Sequence, residues 1–170
     1  MANIVLIGMP GSGKSTVGVL LAKALGMEFI DTDVLLQARE GRLLQRMIDE
    51  DGIDAFLGYE EAAILSLSCE NTVVATGGSV VYSDRAVAHL KALGTLVYLH
   101  LPAEPLVERL TNLATRGVAL RPGQSIQSLF MERDPLYVRA ADVTVDTLGL
   151  SAEETVAAIR RALEDERHAR

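Results

Sequence analysis

Near its beginning the chain reads Gly8-Met9-Pro10-Gly11-Ser12-Gly13-Lys14-Ser15, which matches the phosphate-binding pattern G-x-x-x-x-G-K-[ST] without a substitution. The apolar run Asn3-Ile4-Val5-Leu6-Ile7 before it suits a buried strand, and apolar residues at helical spacing follow from Thr16 to Leu25. In this strand–loop–helix setting, glycines let backbone N–H groups close around phosphate oxygens, and the helix N-terminus adds a partial positive charge. The segment therefore predicts a binding site for a nucleoside triphosphate rather than an ordinary Gly-rich turn.

The side chains of this loop predict how the nucleotide and its metal are held. Lys14 can reach the β- and γ-phosphates, and the Ser15 hydroxyl is placed to ligate Mg²⁺. We expect the nucleotide to contact Gly11, Ser12, Gly13, Lys14, Ser15 and Thr16.

Composition restricts the class of protein and its partners. The 170 residues predict one domain, and 49% hydrophobic with 23% charged residues is typical of a globular chain. A formal net charge of −7 argues against a nucleic-acid partner. The sequence contains no uninterrupted apolar run of 18 residues, so it predicts no membrane span. Without a basic segment preceding an apolar one at its start, the chain shows no signal peptide. We expect a cytoplasmic monomer.

Strands and helices are predicted to alternate along the chain. Predicted strands cover residues 3–7, 27–30, 72–76, 96–99 and 142–145. Predicted helices cover residues 14–25, 33–40, 42–50, 53–69, 84–93, 104–112, 125–139 and 151–166. This alternation indicates an α/β fold with a five-stranded parallel sheet and helices on both faces, and no linker divides residues 1–170.

Polar and small residues follow the predicted strands, where ligands bind in sheets of this kind. Asp31 and Asp33 come after the second strand in an extended segment, which predicts that their side chains point the same way. Beside a magnesium nucleotide, one carboxylate can hold the metal through water while the other accepts a hydroxyl proton. Gly77 and Gly78, which follow the third strand, permit close approach of the backbone to a ligand.

The chain resembles the shikimate kinases over nearly its whole length. The resemblance is carried by Gly8–Thr16, Leu21–Gly26, Asp31-Thr32-Asp33, Phe56, Glu60, Thr76-Gly77-Gly78, Arg121-Pro122 and Arg133-Asp134-Pro135-Leu136-Tyr137. It implies the fold of the nucleoside-monophosphate kinases, with a mobile lid within about residues 112–124. It also implies transfer of the γ-phosphoryl group of ATP to shikimate, a step of aromatic amino acid biosynthesis, with Mg²⁺ as cofactor.

The resemblance assigns roles on the ATP side of the site. Lys14 and Arg121 would be catalytic, with Arg121 moving from the lid onto the phosphates. Asp31 would support Mg²⁺ through water, and Arg109 is a candidate for the adenine side.

On the acceptor side, the resemblance makes Asp33 the base that also holds the substrate hydroxyls. Arg133 would pair with the substrate carboxylate, and Gly77, Gly78 and Ser79 would line the substrate. A basic segment from Leu113 to Ala140, with four arginines against two acids, fits such an anionic ligand.

Three departures from the family pattern lie around the acceptor or the lid. Gly52-Ile53-Asp54-Ala55-Phe56-Leu57 lacks the Glu and the Arg of the family motif G-E-x-x-F-R, whose arginine binds the substrate carboxylate. Ser79 replaces the third of three glycines, and Arg121-Pro122-Gly123-Gln124 replaces R-P-L-L. These departures leave open another hydroxy acid, such as homoserine or gluconate, and leave open whether Arg116 or Arg139 replaces the missing arginine.

Two other classes of nucleotide-binding protein fit less well. A GTP-dependent switch would carry an Asn-Lys-x-Asp motif, which does not occur in the sequence. A catalytically silent module would be expected to lose Lys14 or Asp33, and both are present.

Overall fold

Five parallel strands form one sheet in the order β2-β3-β1-β4-β5. The computed structural model describes residues 3–111 and 117–169. The strands are β1 (Asn3–Ile7), β2 (Glu28–Asp31), β3 (Thr72–Ala75), β4 (Gly94–His100) and β5 (Val143–Asp146). The predicted five-stranded parallel sheet is thereby confirmed, and the strand that precedes the phosphate loop lies at its centre.

Helices follow the strands in the predicted alternation. They are α1 (Lys14–Leu25), α2 (Thr32–Glu40), α3 (Leu44–Asp51), α4 (Ile53–Leu65), α5 (Asp84–Leu93), α6 (Ala103–Thr111), α7 (Ile126–Ala140) and α8 (Ala152–Ala169). The prediction of a helix over 53–69 was too long, because α4 ends at Leu65 and Ser66 turns the chain toward β3. A short 3₁₀ helix at Val80–Tyr82, which the sequence did not predict, follows β3. Among the described helices, none is long and apolar enough to cross a membrane.

Each face of the sheet is covered by its own apolar core. Alternate residues of the strands point to opposite faces, so that Val5 and Ile7 belong to one cluster and Ile4 and Leu6 to the other. The first cluster packs beneath α5 and α7, and the second beneath α1 and α8. The central strands β1, β3 and β4 are mostly buried and apolar, as is usual for parallel sheets covered on both faces, whereas the edge strands β2 and β5 are partly exposed.

The amino ends of three strands are joined through the side chain of Asn3. Its Nδ2 donates hydrogen bonds to the carbonyl oxygens of Cys69 at 2.7 Å and Leu93 at 3.0 Å, and its Oδ1 accepts one from Thr72 N at 2.9 Å. Asn3 is buried, so these three bonds satisfy its polar atoms where water cannot. They fix the edge of the sheet that lies opposite the phosphate loop.

Helix α1 packs so closely on β2 that Gly18 has no room for a side chain. A Cβ atom there would lie 2.6 Å from Cε2 of Phe29 and 3.5 Å from Cδ1 of Leu6. We expect Gly18→Ala to lower the free energy of unfolding by about 1–3 kcal/mol through overpacking. The matched control is Gly58→Ala, because Gly58 is also inside a helix but has nothing within 4 Å of its Cβ position.

For the control we expect a gain of about 0.5–1 kcal/mol, since alanine loses less conformational freedom than glycine on folding. Urea unfolding measures both changes. Equal effects of the two substitutions would contradict this account of the packing between α1 and β2.

Candidate active site

The loop between β1 and α1 has the backbone conformation that a phosphate site requires. Gly8, Gly11 and Gly13 have φ angles of 148°, 80° and 94°, a region that side chains disfavour. Lys14 is buried, and its Nζ donates hydrogen bonds of 2.8 Å to the carbonyl oxygens of Gly8 and Met9. Burial lowers the pKa of Lys14 to about 8, with Arg133 adding to the shift and Asp33 opposing it. The amino group still carries its proton at neutral pH.

Ser15 and Asp31, the two residues predicted to support Mg²⁺, are brought together. The Ser15 hydroxyl donates to Asp31 Oδ2 at 2.5 Å, while Asp31 Oδ1 accepts the backbone N–H of Asp33 at 2.9 Å. Asp31 is thus the N-cap of α2 and also faces the phosphate loop. Both side chains offer the hard oxygen ligands that Mg²⁺ prefers.

The described residues contain no group of three or more acidic, His or Cys side chains that could hold a metal by themselves. The oxygens of Ser15 and Asp31 suit Mg²⁺, which is usually bound by one or two carboxylates together with substrate phosphates and water.

Asp33 lies in the first turn of α2, so the prediction that Asp31 and Asp33 share one extended segment was wrong. Asp31 ends the strand and caps the helix, and Asp33 projects from the helix into the cleft beside Lys14. Burial, with the charge of Asp31 adding to it, raises the pKa of Asp33 to about 6, and Lys14 partly offsets the shift. A carboxylate with that pKa is ionised at neutral pH and is a stronger base than an ordinary aspartate.

Gly77 and Gly78 leave space that any side chain would fill. A Cβ on Gly77 would lie 2.8 Å from Asp33 Oδ1 and would collide with Glu60 Oε2. A Cβ on Gly78 would lie 2.7 Å from Cδ of Pro10 and 3.0 Å from Nη1 of Arg133. The two glycines therefore let the phosphate loop, the carboxyl group of Asp33 and the guanidinium of Arg133 come together.

Arg133 is a buried cation whose partners are neutral. Its exposed fraction is 1%. Hydrogen bonds to Tyr82 and Ala119 hold its side chain in position. Nε donates to the Tyr82 hydroxyl at 3.1 Å, Nη2 donates to the Ala119 carbonyl at 3.4 Å, and the guanidinium lies 5.1 Å from the centre of the Tyr82 ring. Within the described parts of the chain, no carboxylate forms an ion pair with Arg133, so its charge is available to an anionic ligand.

Ser79 contacts Glu60. The Ser79 hydroxyl donates to Glu60 Oε1 at 2.7 Å, and both residues are buried. Glu60 Oε2 has no hydrogen-bond partner, alone among the buried side-chain polar atoms of residues 3–110 and 117–169. Burial raises the pKa of Glu60 to about 7, and Asp33 adds to the shift, whereas the hydrogen bond from Ser79 and the charge of Arg133 oppose it.

One cleft of about 450 Å³ joins most of the predicted site residues. Those lining it are Gly11, Gly13, Lys14, Ser15, Thr16, Asp33, Gly77, Gly78, Ser79, Arg109 and Arg133. Phe56 and Glu60, which belong to the family resemblance but were assigned no role from the sequence, line the same cleft. Nothing in the sequence pointed to Tyr82, whose hydroxyl accepts a hydrogen bond from Arg133.

Three predicted residues do not line this cleft. Ser12 is buried and its N–H donates to the Met9 carbonyl, and Asp31 accepts a hydrogen bond from the Ser15 hydroxyl. Arg121 donates to Asp54 at 3.3 Å and does not line the cleft, while Arg109 donates to the Gly11 carbonyl at 3.0 Å. In this arrangement Arg109 reaches the loop and Arg121 does not.

The structure shows which residues lie near the position of the arginine that is missing from the G-E-x-x-F-R pattern. Leu57 lines two smaller cavities beside the cleft and supplies no charge. Arg139 is exposed on α7 and pairs with Asp84 at 3.6 Å, outside the cleft. Arg116, with the first part of the predicted lid at 112–116, falls outside the described residues.

Comparison with known proteins identifies the family. The family described as shikimate kinase matches residues 10–164. A shikimate kinase of Halorhodospira halophila is 39% identical over 166 residues, which cover 96% of this chain and 94% of that protein.

Two solved structures resemble the whole fold. Shikimate kinase from Acinetobacter baumannii in complex with shikimate matches with a TM-score of 0.90 at 31% identity, covering 97% of this chain and 94% of that one. Shikimate kinase from Aquifex aeolicus matches with a TM-score of 0.84 at 36% identity, covering 97% of this chain and 98% of that one.

The chain therefore belongs to the shikimate kinase family, as the motifs indicated. It is a phosphotransferase that acts on an alcohol group, with the fold of a P-loop kinase.

The buried carboxyl group of Glu60 makes stability depend on pH. Its pKa is 4.5 in the unfolded chain and about 7 in the folded protein, so the folded state binds its proton more tightly. This group therefore destabilises the fold fully above pH 7, and the destabilisation disappears as pH falls toward 4.5. We expect Glu60→Gln to raise the free energy of unfolding by about 2–3 kcal/mol at pH 8 and by about 1 kcal/mol or less at pH 5.

Urea unfolding of the ligand-free protein at the two pH values measures this difference. Glu61→Gln is the control, because Glu61 on the same helix is already paired with Ser83 and Arg85. A gain from Glu60→Gln that is the same at both pH values would contradict the burial account.

Proposed function

We propose that this member of the shikimate kinase family transfers the γ-phosphoryl group of ATP to a hydroxyl group of shikimate. One observation carries the proposal: a single cleft joins the phosphate loop to Asp33 and to Arg133, a buried cation with only neutral partners. The Acinetobacter relative, which has the same fold, was solved in complex with shikimate. Shikimate carries a carboxylate for Arg133 and hydroxyl groups for Asp33.

On the donor side, the loop amides and Lys14 would hold the β- and γ-phosphates at the N-terminus of α1. Ser15 would ligate Mg²⁺ directly and Asp31 through water, which accounts for the contact between these two side chains. The metal, when bound, would neutralise charge that builds up on the phosphates. Arg109 would lie on the nucleotide side of the loop, and Arg121 would have to leave Asp54 before it could reach the phosphates.

In the transfer step, the hydroxyl oxygen of the substrate bonds to the γ-phosphorus. Asp33 accepts the proton that this hydroxyl group loses. The bond from that phosphorus to the β–γ bridging oxygen breaks, and ADP leaves with both electrons of the bond. Lys14 stabilises the charge on the transferred group, and Gly77 and Gly78 leave room for the acceptor. The use of ATP and Mg²⁺ fits the cytoplasmic location expected from the sequence.

A second candidate function is the same transfer to another small hydroxy acid, such as homoserine or gluconate. Leu57 favours this alternative, because it supplies no second cation for the acceptor carboxylate. Losing one charge-assisted partner weakens binding by about 2–3 kcal/mol.

Coupled measurement of ADP release with shikimate, homoserine and gluconate separates the two candidates. We expect the highest kcat/KM with shikimate. Turnover of another alcohol without turnover of shikimate would overturn the leading proposal.

The proposed base determines the pH dependence of turnover. Since the pKa of Asp33 is about 6, we expect kcat/KM to fall as pH decreases through about 6, because the protonated carboxyl group cannot accept the hydroxyl proton. Asp33→Asn should lower kcat by about 100-fold or more. Lys14→Ala should abolish turnover for a different reason, because it removes the cation that stabilises the transferred phosphoryl group. Normal turnover by Asp33→Asn would remove Asp33 as the base.

Restoring the arginine of the family motif tests the weak part of the acceptor site. We expect Leu57→Arg to lower KM for shikimate by about tenfold, because a second guanidinium would join Arg133 at the carboxylate. Leu57→Met, which adds no charge, is the control. An unchanged or higher KM in Leu57→Arg would show that the clamp is not what limits binding.

A further inference from the structure

A continuous chain of hydrogen bonds joins the predicted lid to the buried guanidinium of Arg133. Gln124 Nε2 donates to Glu132 Oε2 at 3.1 Å, and the same oxygen accepts the Tyr82 hydroxyl at 2.7 Å. The Tyr82 oxygen in turn accepts Nε of Arg133 at 3.1 Å. At the outer end, Gln124 Oε1 accepts the backbone N–H of Arg121 at 3.1 Å. The amide of Gln124 therefore connects a turn of the lid to a side chain of α7.

Tyr82 stands between a carboxylate and a guanidinium that form no direct ion pair within the described residues. Burial, together with the hydrogen bond to Glu132, raises the pKa of the Tyr82 hydroxyl, so it keeps its proton at neutral pH. A hydroxyl that donates to a carboxylate is a better hydrogen-bond acceptor, because linked hydrogen bonds polarise one another. Glu132 thus stabilises Arg133 through Tyr82 and does not compete with a ligand carboxylate for its N–H groups.

The ring of Tyr82 restricts the guanidinium in a second direction. The guanidinium carbon of Arg133 lies 5.1 Å from the ring centre, a distance at which a cation is attracted to an aromatic face. Nη2 donates to the carbonyl oxygen of Ala119 at 3.4 Å, and Nη1 would lie 3.0 Å from a Cβ on Gly78, which lines the cleft. Tyr82 therefore binds Nε and one side of the group, while Nη1 lies at the cleft.

Packing of the core does not account for these polar side chains. Tyr82 is 39% exposed, and it borders a cavity of about 120 Å³ together with Gln124, Glu132 and Arg133. A partly exposed tyrosine beside a cavity contributes little to the apolar core. At Gln124 the family pattern R-P-L-L has leucine, which could form neither of the hydrogen bonds of the amide. The hydrogen bonds are what Tyr82 and Gln124 add to this part of the structure.

We propose that Tyr82 is a positioning residue for Arg133. It orients the guanidinium toward the carboxylate of the acceptor, and Glu132 and Gln124 hold Tyr82 in place from α7 and from the lid. Because Leu57 supplies no second cation, the orientation of this single arginine determines how well the carboxylate is bound. The proposal rests on the proposed function, since it takes Arg133 as the group that binds the acceptor carboxylate.

Removing first the hydroxyl group and then the ring of Tyr82 tests this role. We expect KM for shikimate to rise about fivefold in Tyr82→Phe and more than about tenfold in Tyr82→Leu, with kcat and KM for ATP unchanged. An unchanged KM for shikimate in Tyr82→Phe overturns the inference. A loss of kcat alone, or equal rises in KM for shikimate and for ATP, assigns Tyr82 a general structural role and also overturns it.

Tyr59→Phe is the matched control. The Tyr59 hydroxyl also donates to a carboxylate, that of Asp51 at 2.9 Å, and Arg42 lies 5.9 Å from the centre of its ring. None of these three residues lines the cleft. The control should therefore leave KM for both substrates unchanged.

The carboxamide of shikimate separates the orientation of Arg133 from a general loss of structure. This analogue carries no negative charge, so it gains less than shikimate from a well-oriented guanidinium. We expect Tyr82→Phe to lower kcat/KM for the carboxamide by less than about twofold, against about fivefold for shikimate. Equal losses with the two compounds would contradict the role of Tyr82 through Arg133.

Gln124→Leu, which restores the residue of the family pattern, tests the connection to the lid. We expect KM for shikimate to rise about two- to threefold when this substitution is made in the wild type. The same substitution made in Tyr82→Phe should have no effect, because the hydroxyl group that transmits it is already missing. Equal rises in the two backgrounds would show that Gln124 does not act through Tyr82.

Failure of the proposed function gives a different result. In that case the wild type phosphorylates another hydroxy acid and not shikimate, and the Tyr82 variants are compared with that acid. A raised KM for the acid in Tyr82→Phe supports the inference, and an unchanged KM overturns it.

Discussion

The backbone of the loop from Gly8 to Ser15 is the constraint on which the site depends. Its positive φ angles require glycine, and at Gly8 a Cβ would lie 2.8 Å from the carbonyl oxygen of Leu99 on the neighbouring strand. This conformation begins α1 at Lys14, directly after the central strand β1. It therefore places a buried cation and the hydroxyl of Ser15 at the middle of the sheet edge, within reach of α2, and the other parts of the cleft are arranged around them.

The two halves of the cleft differ in the hydrogen-bond partners that the protein supplies to their polar and charged side chains. On the nucleotide side, Lys14 bonds to loop carbonyls and Ser15 to Asp31, so the protein supplies partners of its own. On the acceptor side, Arg133 has only neutral partners and one oxygen of Glu60 has none within the described residues. Buried groups of this kind weaken the fold, and they are retained where a ligand completes them. The proposed acceptor, with one carboxylate and several hydroxyl groups, would supply partners to these groups.

Much of this architecture could be predicted from the sequence, because apolar periodicity determined the strands and helices and parallel strands present their carboxyl ends at one edge. The side-chain contacts could not be predicted, since they depend on residues far apart in the chain. Arg121 meets Asp54 across 67 residues, and Arg133 meets Tyr82 across 51. The local backbone geometry around Asp33 could not be predicted either. Asp31 caps α2, which begins one residue before Asp33, and this changes the direction of the Asp33 side chain. The roles of the site residues accordingly remain predictions, whereas the family and the fold are confirmed.

The buried amide of Asn3 has a consequence for how this protein can change over evolution. It joins β1 to the segments that lead into β3 and β4, at the edge of the sheet farthest from the cleft. Asn3 does not line the cleft, so this connection between the strands does not involve the site. Leu57 and Ser79, which stand in place of the family's arginine and glycine, lie in α4 and after β3, away from the hydrogen bonds of Asn3. An enzyme built in this way can drift toward a new acceptor while its scaffold and its nucleotide site stay the same.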